Sequence, residues 1–269
     1  MTAPRVVRLR RPWLWLASAA VLAIVAWLAV SILQNPHIDH AAIAHHQFAP
    51  AILQGLRLTV VLAVLAALIG TALGVALAVM RLSSSPVLRL GSGFYTWLLR
   101  GTPLLVQILI WGNLALLFSH IGPFDTNKVL TPFVASVVAL GLNEAAYMAE
   151  IVRAGVLAVD RGQADASLAL GMSRALAMRR IILPQALRVI VPPAGNQFVS
   201  LLKATSLVSV IAGGDLLTAA ENISSANLKT IELMLVATFW YLVVTTLAGI
   251  GQHFLERRLA RTGTGLGAP

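Results

Sequence analysis

Six long apolar runs, separated by short polar stretches, dominate this chain. Three of them carry no charge over roughly 20 residues, the length that crosses a bilayer core as a helix, and they cover Trp13 to Leu33, Leu58 to Met80 and Pro103 to Ile121. A fourth uncharged run covers Leu233 to Gly251, whereas Leu130 to Ala149 contains Glu144 and Val189 to Gly213 contains Lys203. This pattern predicts an all-α, polytopic membrane protein with six transmembrane helices.

The composition supports a lipid environment and excludes two classes of protein. Of the 269 residues, 58% are hydrophobic and 11% are charged, and the mean hydropathy is +0.83. Soluble domains keep about a quarter of their residues charged, so a water-soluble enzyme and a disordered tail are both excluded. The chain has no cysteine, which excludes a disulfide framework and thiol catalysis.

The basic residues predict the orientation of the chain in the membrane. The formal net charge is +10, but Lys and Arg separate the apolar runs instead of forming one basic face, so we expect no nucleic-acid partner. With the N-terminus inside, all but four of the 20 basic residues fall on the cytoplasmic side, as the positive-inside rule requires. The other four are Arg57, Lys128 and Lys229 outside and Lys203 within a span. Both termini are therefore predicted to be cytoplasmic.

The longest cytoplasmic loop, residues 150–188, predicts a helical hairpin outside the membrane. Asp160, three residues before a glutamine, has the position of a capping box. Gly171 can supply the left-handed residue that ends the first helix. Ser173 can cap a second helix, which Pro184 is expected to interrupt. The small side chains and leucines of the first helix are typical of a docking surface, although a hairpin that only joins two spans is the alternative.

The spacing within this loop resembles the EAA loop of ABC importer permeases. That loop has Glu-Ala-Ala, three residues, Gly, nine residues and Ile-x-Leu-Pro, and this chain has Asp165-Ala166-Ser167, Gly171 and Ile181-Ile182-Leu183-Pro184 at the same spacing. Two positions depart from the pattern, since Asp165 stands for Glu and Ser167 for Ala. Both changes are mild and should weaken no main-chain feature of the helix.

Four further segments resemble the polar amino acid permeases of the histidine, glutamine and arginine type. They are GLRLT at 55–59, RGTPLLVQ at 100–107, LGLNEAAYMAEIVRAG at 140–155 and KATSLVSVI at 203–211. The resemblance covers roughly residues 52–255. It implies a permease domain at 52–255 that contains the coupling loop 150–188, preceded by a basic cytoplasmic arm at 1–12 and an added helix at 13–33 on a five-helix core, and followed by a cytoplasmic tail at 256–269.

Membership of that family implies the function and the partners. The chain would be the multi-pass permease subunit of an ATP-driven, binding-protein-dependent amino acid importer in a bacterial inner membrane. It would pair with a second permease subunit, identical or paralogous, and receive the amino acid from an extracytoplasmic binding protein. ATP would be bound by a cytoplasmic ATPase subunit seated on the EAA loop, so the chain itself would be no enzyme and hold no cofactor. The residues expected to couple to the ATPase are Gly162, Gln163, Ala164, Asp165, Ala166, Ser167, Gly171 and Pro184.

Two ionisable residues at membrane depth predict the substrate pathway, because such residues are costly in lipid and usually functional. A zwitterionic amino acid needs an acceptor for its ammonium and a donor for its carboxylate, which Glu144 and Lys203 could supply. Alternatively, these two residues pair with each other or across a subunit interface as a structural bridge. Helical spacing places further polar candidates beside them, and the full set is Asn143, Glu144, Tyr147, Asn196, Ser200, Lys203, Thr205 and Ser206.

Three other features of the sequence, a glycine pair, Arg100 and a histidine-rich loop, are interpreted as structural. Gly70 and Gly74 have the spacing of a close helix contact. Arg100 is expected to extend its side chain to the headgroups. Four histidines and Asp39 cluster in the first outside loop; the histidines are His37, His40, His45 and His46. We expect no metal site there, because the segment has no cap chemistry to fix the ligands. We expect instead a solvated loop that touches the binding protein.

Two other functions fit the sequence less well than that of an importer. A membrane-embedded enzyme would need a nucleophile or metal cluster at depth, which the six runs lack. No lysine follows a glycine, since the three lysines follow Asn127, Leu202 and Leu228, so the chain has no P-loop of its own. A secondary transporter driven by an ion gradient is the alternative, with Glu144 and Lys203 as coupling groups. Such carriers usually contain two related halves, and no such repeat is visible here.

Overall fold

The described residues, 12–261 of a computed structural model, form helices joined by short turns. Residues 1–11 of the predicted basic arm and 262–269 of the predicted tail lie outside this range. The helices are α1 (Pro12–Leu33), α2 (His40–His46), α3 (Pro50–Leu82), α4 (Pro86–Gly101), α5 (Leu104–Gly112), α6 (Leu114–Leu117), α7 (Thr126–Val129), α8 (Pro132–Leu157), α9 (Arg161–Ala169), α10 (Arg174–Ala177), α11 (Leu183–Ala204), α12 (Leu216–Asn227) and α13 (Thr230–Arg261). A π-helical turn covers Met178–Ile182, a 3₁₀ helix covers Thr205–Ile211, and β1 (His120–Ile121) pairs antiparallel with β2 (Phe124–Asp125).

Helices α3 and α8 form the centre of the fold and run parallel to each other. A Cβ atom built on Gly70 would lie 2.5 Å from the Cγ of Glu144, and one built on Gly74 would lie 2.5 Å from the Cβ of Met148. The expected close contact of these glycines is therefore confirmed. Because the two pairs have the same offset in the sequence, the helices point in the same direction, and the chain between them must return across their length.

Helix α4 begins that return, in a stretch where the sequence predicted only a loop between spans. Its polar side chains face the protein: Ser92 is buried and donates to the carbonyl of Leu77 at 2.7 Å, and Tyr95 donates to the carbonyl of Leu142 at 2.8 Å. Its apolar side chains are exposed, as at Leu90 and Trp97. This arrangement is the reverse of a soluble amphipathic helix, because lipid is the solvent and backbone carbonyls of α3 and α8 accept the hydroxyl groups.

The prediction of one continuous span at Pro103 to Ile121 is wrong. That run is divided into α5, α6 and the strand β1. Helix α5 ends where the side chain of Asn113 donates to the carbonyl of Leu109 at 2.9 Å, and Gly122 turns the hairpin with φ of +61°. At nine residues, α5 is about 14 Å long by helix rise, which is about half of a bilayer core.

The predicted count of six spans is not confirmed by helix length and composition. Three helices of the described range are long and apolar enough to cross a membrane, at Pro50–Leu82, Pro132–Leu157 and Thr230–Leu259. A fourth results if the segment Arg174–Ile211 and α12, bent by 43°, count as one span. Helix α1 contains a shorter apolar stretch, Trp15–Trp27, and its described side chains are exposed, consistent with a helix added outside the core.

The outer ends of α3, α12 and α13 are joined at a buried carboxylate. Asp215 is fully buried, caps α12 by accepting two backbone N–H groups of its first turn, and accepts the hydroxyl of Tyr241 at 2.9 Å. The next residue, Leu216, donates its N–H to the hydroxyl of Thr59 at 2.9 Å. The sequence reasoning missed Asp215, although an acidic residue directly before a helical run is a normal cap signal.

The expectation that the first outside loop lacks cap chemistry is wrong. Asp39 caps α2 by accepting the N–H of Ala42 at 3.0 Å. Its carboxylate also accepts the ammonium of Lys229, and its own N–H donates to Glu232 at 2.9 Å. The hydrogen bond between the two side chains lowers the pKa of Asp39 and raises the pKa of Lys229. These bonds hold α2 against the start of α13.

Replacing Gly74 by leucine should destabilise the protein. A Cβ atom at this position would lie 3.0 Å from backbone atoms of Ala145 and Ala149, and moving the two helices apart to admit it would lose packing contacts between them. Overpacking typically costs about 1–3 kcal/mol, which corresponds to a fall of roughly 2–12 °C in melting temperature. The measurement is thermal unfolding in detergent. Gly91→Leu is the matched control, since a Cβ at Gly91 meets no atom within 4 Å. Equal melting temperatures for the two variants would contradict the close α3–α8 contact.

Candidate functional site

A polar cavity of about 540 Å³ lies between α8, α11 and the turn that joins α4 to α5. Its volume falls within the range of small-molecule sites. Four of the eight residues predicted for the substrate pathway line it, namely Asn143, Glu144, Tyr147 and Ser200. The remaining lining residues are Arg100, Gly101, Thr102, Pro103, Leu104, Gln197, Leu201 and Ala204. We call it the Glu144 cavity.

Glu144 occupies the wall of this cavity and is 3% exposed. Its carboxylate accepts a hydrogen bond of 2.9 Å from the side-chain amide of Gln197 on α11, and the Cα of Gly70 lies behind its methylene groups. Burial of a carboxylate is costly unless it is paired. Within the described residues Glu144 has no ion-pair partner, so a neutral amide is its principal partner here.

The neighbouring side chain, Asn143, closes the cavity on the α5 side. It donates to the side-chain oxygen of Gln107 at 3.1 Å and to the carbonyl of Leu99 at 3.2 Å. Gln107 in turn donates to Leu99 and to both oxygens of Thr102, at 2.8 to 3.1 Å. These bonds fix the break between α4 and α5 against α8. In the structure Asn143 is a positioning group whose amide is already used, and the sequence reasoning missed its partner Gln107.

Arg100 does not extend away from the protein in the way the sequence predicted. Its guanidinium carbon lies 5.2 Å from the centroid of the Tyr147 ring, a cation–π distance. The residue lines both the Glu144 cavity and a second cavity of about 650 Å³ that continues between α8 and α11. In this second cavity Glu150 forms an ion pair of 2.8 Å with Arg153, which confirms the predicted pair of those two residues.

The structure does not bring Lys203 and Glu144 into one cavity. Lys203 lines a third cavity of about 430 Å³ between α11 and α13, with Asn196, Ser200, Gln252, His253 and Glu256 among its neighbours. No ion pair joins Lys203 and Glu144 within the described chain. The two charges lie on different sides of α11, and Ser200 is the residue that lines all three cavities.

Two further predicted pathway residues have local roles. Thr205 is buried and donates its hydroxyl to the carbonyl of Leu202 at 2.7 Å, and Ser206 donates to the carbonyl of Lys203 at 2.8 Å. Both stand at the start of the 3₁₀ helix and neither lines the three cavities. Gln197, by contrast, was missed, although it stands three residues before Ser200 and therefore shares its side of the helix.

The coupling loop has the helical hairpin that the sequence predicts. The Asp160 carboxylate accepts the N–H of Gly162 at 2.6 Å, and Ser173 accepts the N–H of Leu176 at 3.3 Å. Gly171 has φ of +79°. The N–H of Met172 donates to the carbonyl of Ser167 at 3.1 Å, so the first helix ends in a Schellman motif.

The predicted coupling residues do not form one surface. Ser167 is buried and donates its hydroxyl to the carbonyl of Gln163 at 2.6 Å, and Ala164 is half-buried. The exposed members are Gly162, Gln163, Asp165, Ala166, Gly171 and Pro184. Leu170, which the sequence reasoning did not select, is 82% exposed beside Gly171.

The prediction that Pro184 interrupts the second loop helix is wrong. The helical path continues from Arg174 to Ala204 because the turn Met178–Ile182 is π-helical. Proline lacks the N–H for an α-helical bond, and the N–H of Leu183 donates to the carbonyl of Met178, five residues back. The side chain of Gln185 donates to the carbonyl of Ile181 at 3.0 Å. The wider turn therefore admits the proline without a break.

The histidines of the outside loop stand apart from these cavities. His45 and His46 line a fourth cavity of about 740 Å³ between α2, α3 and α12, whose remaining lining is mostly apolar. Their rings meet edge to face, with centroids 4.8 Å apart. Among the residues that the structure describes, no group of three or more His, Cys, Asp or Glu side chains could hold a metal ion.

The fold and the cavity together define a helical, multi-pass membrane protein, with a polar cavity between its helices and a helical hairpin in the loop between α8 and α11. A family model described as binding-protein-dependent transport system inner membrane component matches residues 70–261. The chain belongs to this family, which confirms the resemblance seen in the sequence. The family is that of multi-pass permease subunits of ABC importers, which are not themselves enzymes and which imply an ATPase and a periplasmic binding protein as partners.

Similar proteins include two curated permeases and one solved transporter. The arginine transport system permease protein ArgU of Corynebacterium glutamicum is 41% identical over 262 residues, 95% of this chain and 83% of the relative. The L-cystine transport system permease protein TcyB of Bacillus subtilis is 38% identical over 220 residues, 81% of this chain and 91% of the relative. The crystal structure of an amino acid ABC transporter with histidines has a TM-score of 0.74 and 38% identity, and the match covers 82% of this chain and 99% of that one.

Proposed function

We propose that this permease transports an amino acid and that the Glu144 cavity holds it during passage. The observation that carries the proposal is the buried Glu144 carboxylate, which faces a polar cavity and has a neutral amide as its partner. An amino acid brings an ammonium group that would complete this pairing. The similarity to arginine and cystine permeases supports an amino acid as the substrate class.

The walls of the cavity suit a site that opens and closes with the ATPase cycle. Helix α8 leads into the coupling loop and α11 leaves it, and the same two helices carry Glu144 and Gln197. They pack closely near the loop, where a Cβ on Gly155 would lie 2.2 Å from the Cγ1 of Ile190. A displacement of the loop would therefore be transmitted to both walls, as in rigid-body switching.

Glu144→Gln should lower uptake at low substrate concentration by on the order of tenfold or more, because a hydrogen bond to a charged group contributes about 1.5–3 kcal/mol. The measurement is uptake of radiolabelled amino acids into proteoliposomes that contain the complete transporter, ATP and binding protein. Glu221→Gln is the matched control, since Glu221 lies on α12 and lines none of the three cavities.

Wild-type vesicles separate this function from ion-coupled transport. Uptake should stop when ATP is depleted and continue when ionophores collapse the ion gradients. Uptake that follows the ion gradients would contradict the ATP-driven assignment, and normal uptake by Glu144→Gln would contradict the cavity as the substrate site.

We infer that the ATPase docks on the exposed side of α9 and the turn that follows it. Asp165, Leu168 and Leu170 are exposed there, so one acidic and two apolar side chains are available to a partner. Gly171 adds an open turn, since a Cβ at this residue would meet no atom within 4 Å. The buried hydroxyl bond of Ser167 holds the helix as one rigid piece.

Gly171→Trp should abolish ATP-driven uptake while membrane insertion is retained, because the indole would occupy the space that the ATPase needs. The measurement compares uptake with the amount of folded permease in the membrane. Gly122→Trp is the matched control: Gly122 also has a positive φ and open surroundings, but lies in the hairpin on the other side of the membrane. Normal uptake by Gly171→Trp would remove the coupling assignment.

We propose that the exposed polar side of α11 meets a second permease subunit. Asn196, Ser200 and Lys203 are exposed on α11, which belongs to the segment Arg174–Ile211 that with α12 can form a bent membrane span. A charged side chain that faced lipid at depth would be costly, and Lys203 has no ion-pair partner among the described residues. A second subunit, with the water-filled path between the two, would give this side of α11 a polar environment.

A single cysteine at position 203 should cross-link two permease subunits, and the chain contains no native cysteine to confuse the result. The expected product of Lys203→Cys with a short bismaleimide, to which the two cysteine thiols add, is a covalent permease dimer on a denaturing gel. Leu247→Cys on the exposed side of α13 should stay monomeric. A dimer from Leu247→Cys, with none from Lys203→Cys, would place the interface elsewhere.

A further inference from the structure

We propose that Arg100 binds the carboxylate of the transported amino acid while Glu144 binds its ammonium group across the same cavity. This inference rests on the proposed function and adds to it the chemistry by which the permease recognises its cargo. The sequence had suggested Lys203 as the carboxylate donor. The structure instead places Arg100, and not Lys203, in the cavity that Glu144 lines.

The guanidinium of Arg100 is held in place from two sides. Helix α4 is tied to α8 just before Arg100, through the hydrogen bond from Tyr95 to Leu142 and that from Asn143 to Leu99. The guanidinium itself lies over the Tyr147 ring at 5.2 Å. Tyr147 stands three residues after Glu144 and shares its side of α8, so Arg100 and Glu144 face the same cavity beside this helix.

The charge of Arg100 is available to a ligand. The contact with the Tyr147 ring is made to its π face and supplies no carboxylate oxygen, and a guanidinium can match a carboxylate with two parallel hydrogen bonds. The acidic residue of the adjoining cavity, Glu150, is already paired with Arg153. Arg100 makes no ion pair in the part of the chain that the structure describes.

An acceptor and a donor in one cavity select a class of substrate. The ammonium and carboxylate of an α-amino acid are shared by all members of the class, whatever their side chain. A site built on Glu144 and Arg100 therefore recognises the zwitterionic backbone and excludes amines that lack a carboxylate. Choice among side chains is left to other contacts.

The test measures binding to the purified transporter without its binding protein, so that only the permease discriminates. The probes are arginine, histidine and glutamine, each with its decarboxylated amine: agmatine, histamine and 4-aminobutanamide. For the wild type we expect the preferred amino acid to bind on the order of tenfold or more tightly than its amine. Arg100→Gln should lose that preference, because its affinity for the amino acid falls while its affinity for the amine is unchanged. Arg100→Lys should show a preference between those of the wild type and Arg100→Gln.

Arg89→Gln is the matched control, because Arg89 lies on the same helix and lines none of the three cavities; it should keep the wild-type preference. The proposal would be overturned if Arg100→Gln kept the preference for the amino acid. It would also be overturned if this variant bound the amino acid and the amine more weakly by the same factor, as a general loss of structure would cause. A wild type that binds its amino acid and its amine equally would also overturn it. If the wild type binds none of the three amino acids, the proposed function fails, which is a different result from failure of Arg100 alone.

Discussion

The close parallel contact of α3 with α8 is the constraint on which the rest of the structure depends. At Gly70 and Gly74 the backbone of α3 lies against the side chains of Glu144 and Met148 with no space for a Cβ. Such contacts maximise dispersion between helices in lipid, where burial of apolar surface gives no drive to associate. Because the two helices are parallel, α4 and α5 must carry the chain back between them. The break in that return path forms one side of the Glu144 cavity.

Among the described residues, buried side-chain nitrogen and oxygen atoms other than Nε2 of Gln47 have hydrogen-bond partners within the protein, as the absence of water in the bilayer requires. Ser92 and Tyr95 donate to carbonyls of neighbouring helices. Asp215 accepts hydrogen bonds from backbone N–H groups in the first turn of α12 and from the hydroxyl of Tyr241. Glu144 and Arg100 are both ionisable, line the same cavity and have no ion-pair partner in the described chain. These two groups are the basis of the substrate site that we propose.

Helices α8 and α11 connect the Glu144 cavity to the loop that we propose couples to the ATPase. Helix α8 carries Glu144 and Tyr147 and then enters the loop, and α11 leaves the loop and carries Gln197. The π-helical turn before Pro184 keeps the second loop helix continuous with α11. A movement imposed at α9 would reach these two helices through the short turns at residues 158–160 and 170–173.

The sequence by itself determined the membrane class, the orientation, the caps of the coupling loop and the family, because these follow from hydropathy, charge position and fixed spacing. It also selected Glu144, since an ionisable residue within an apolar run is visible without a structure. It did not show α4 as a helix, because spans were recognised as uncharged runs of about 20 residues, and α4 has 16 residues and contains Arg89 and Arg100. Only the tertiary structure decided which cation shares the cavity with Glu144. Spacing places Asn196, Ser200 and Lys203 on one side of α11, but the orientation of that side depends on how α11 packs between α8 and α13, and this packing turns Gln197 toward Glu144 and Lys203 away from it.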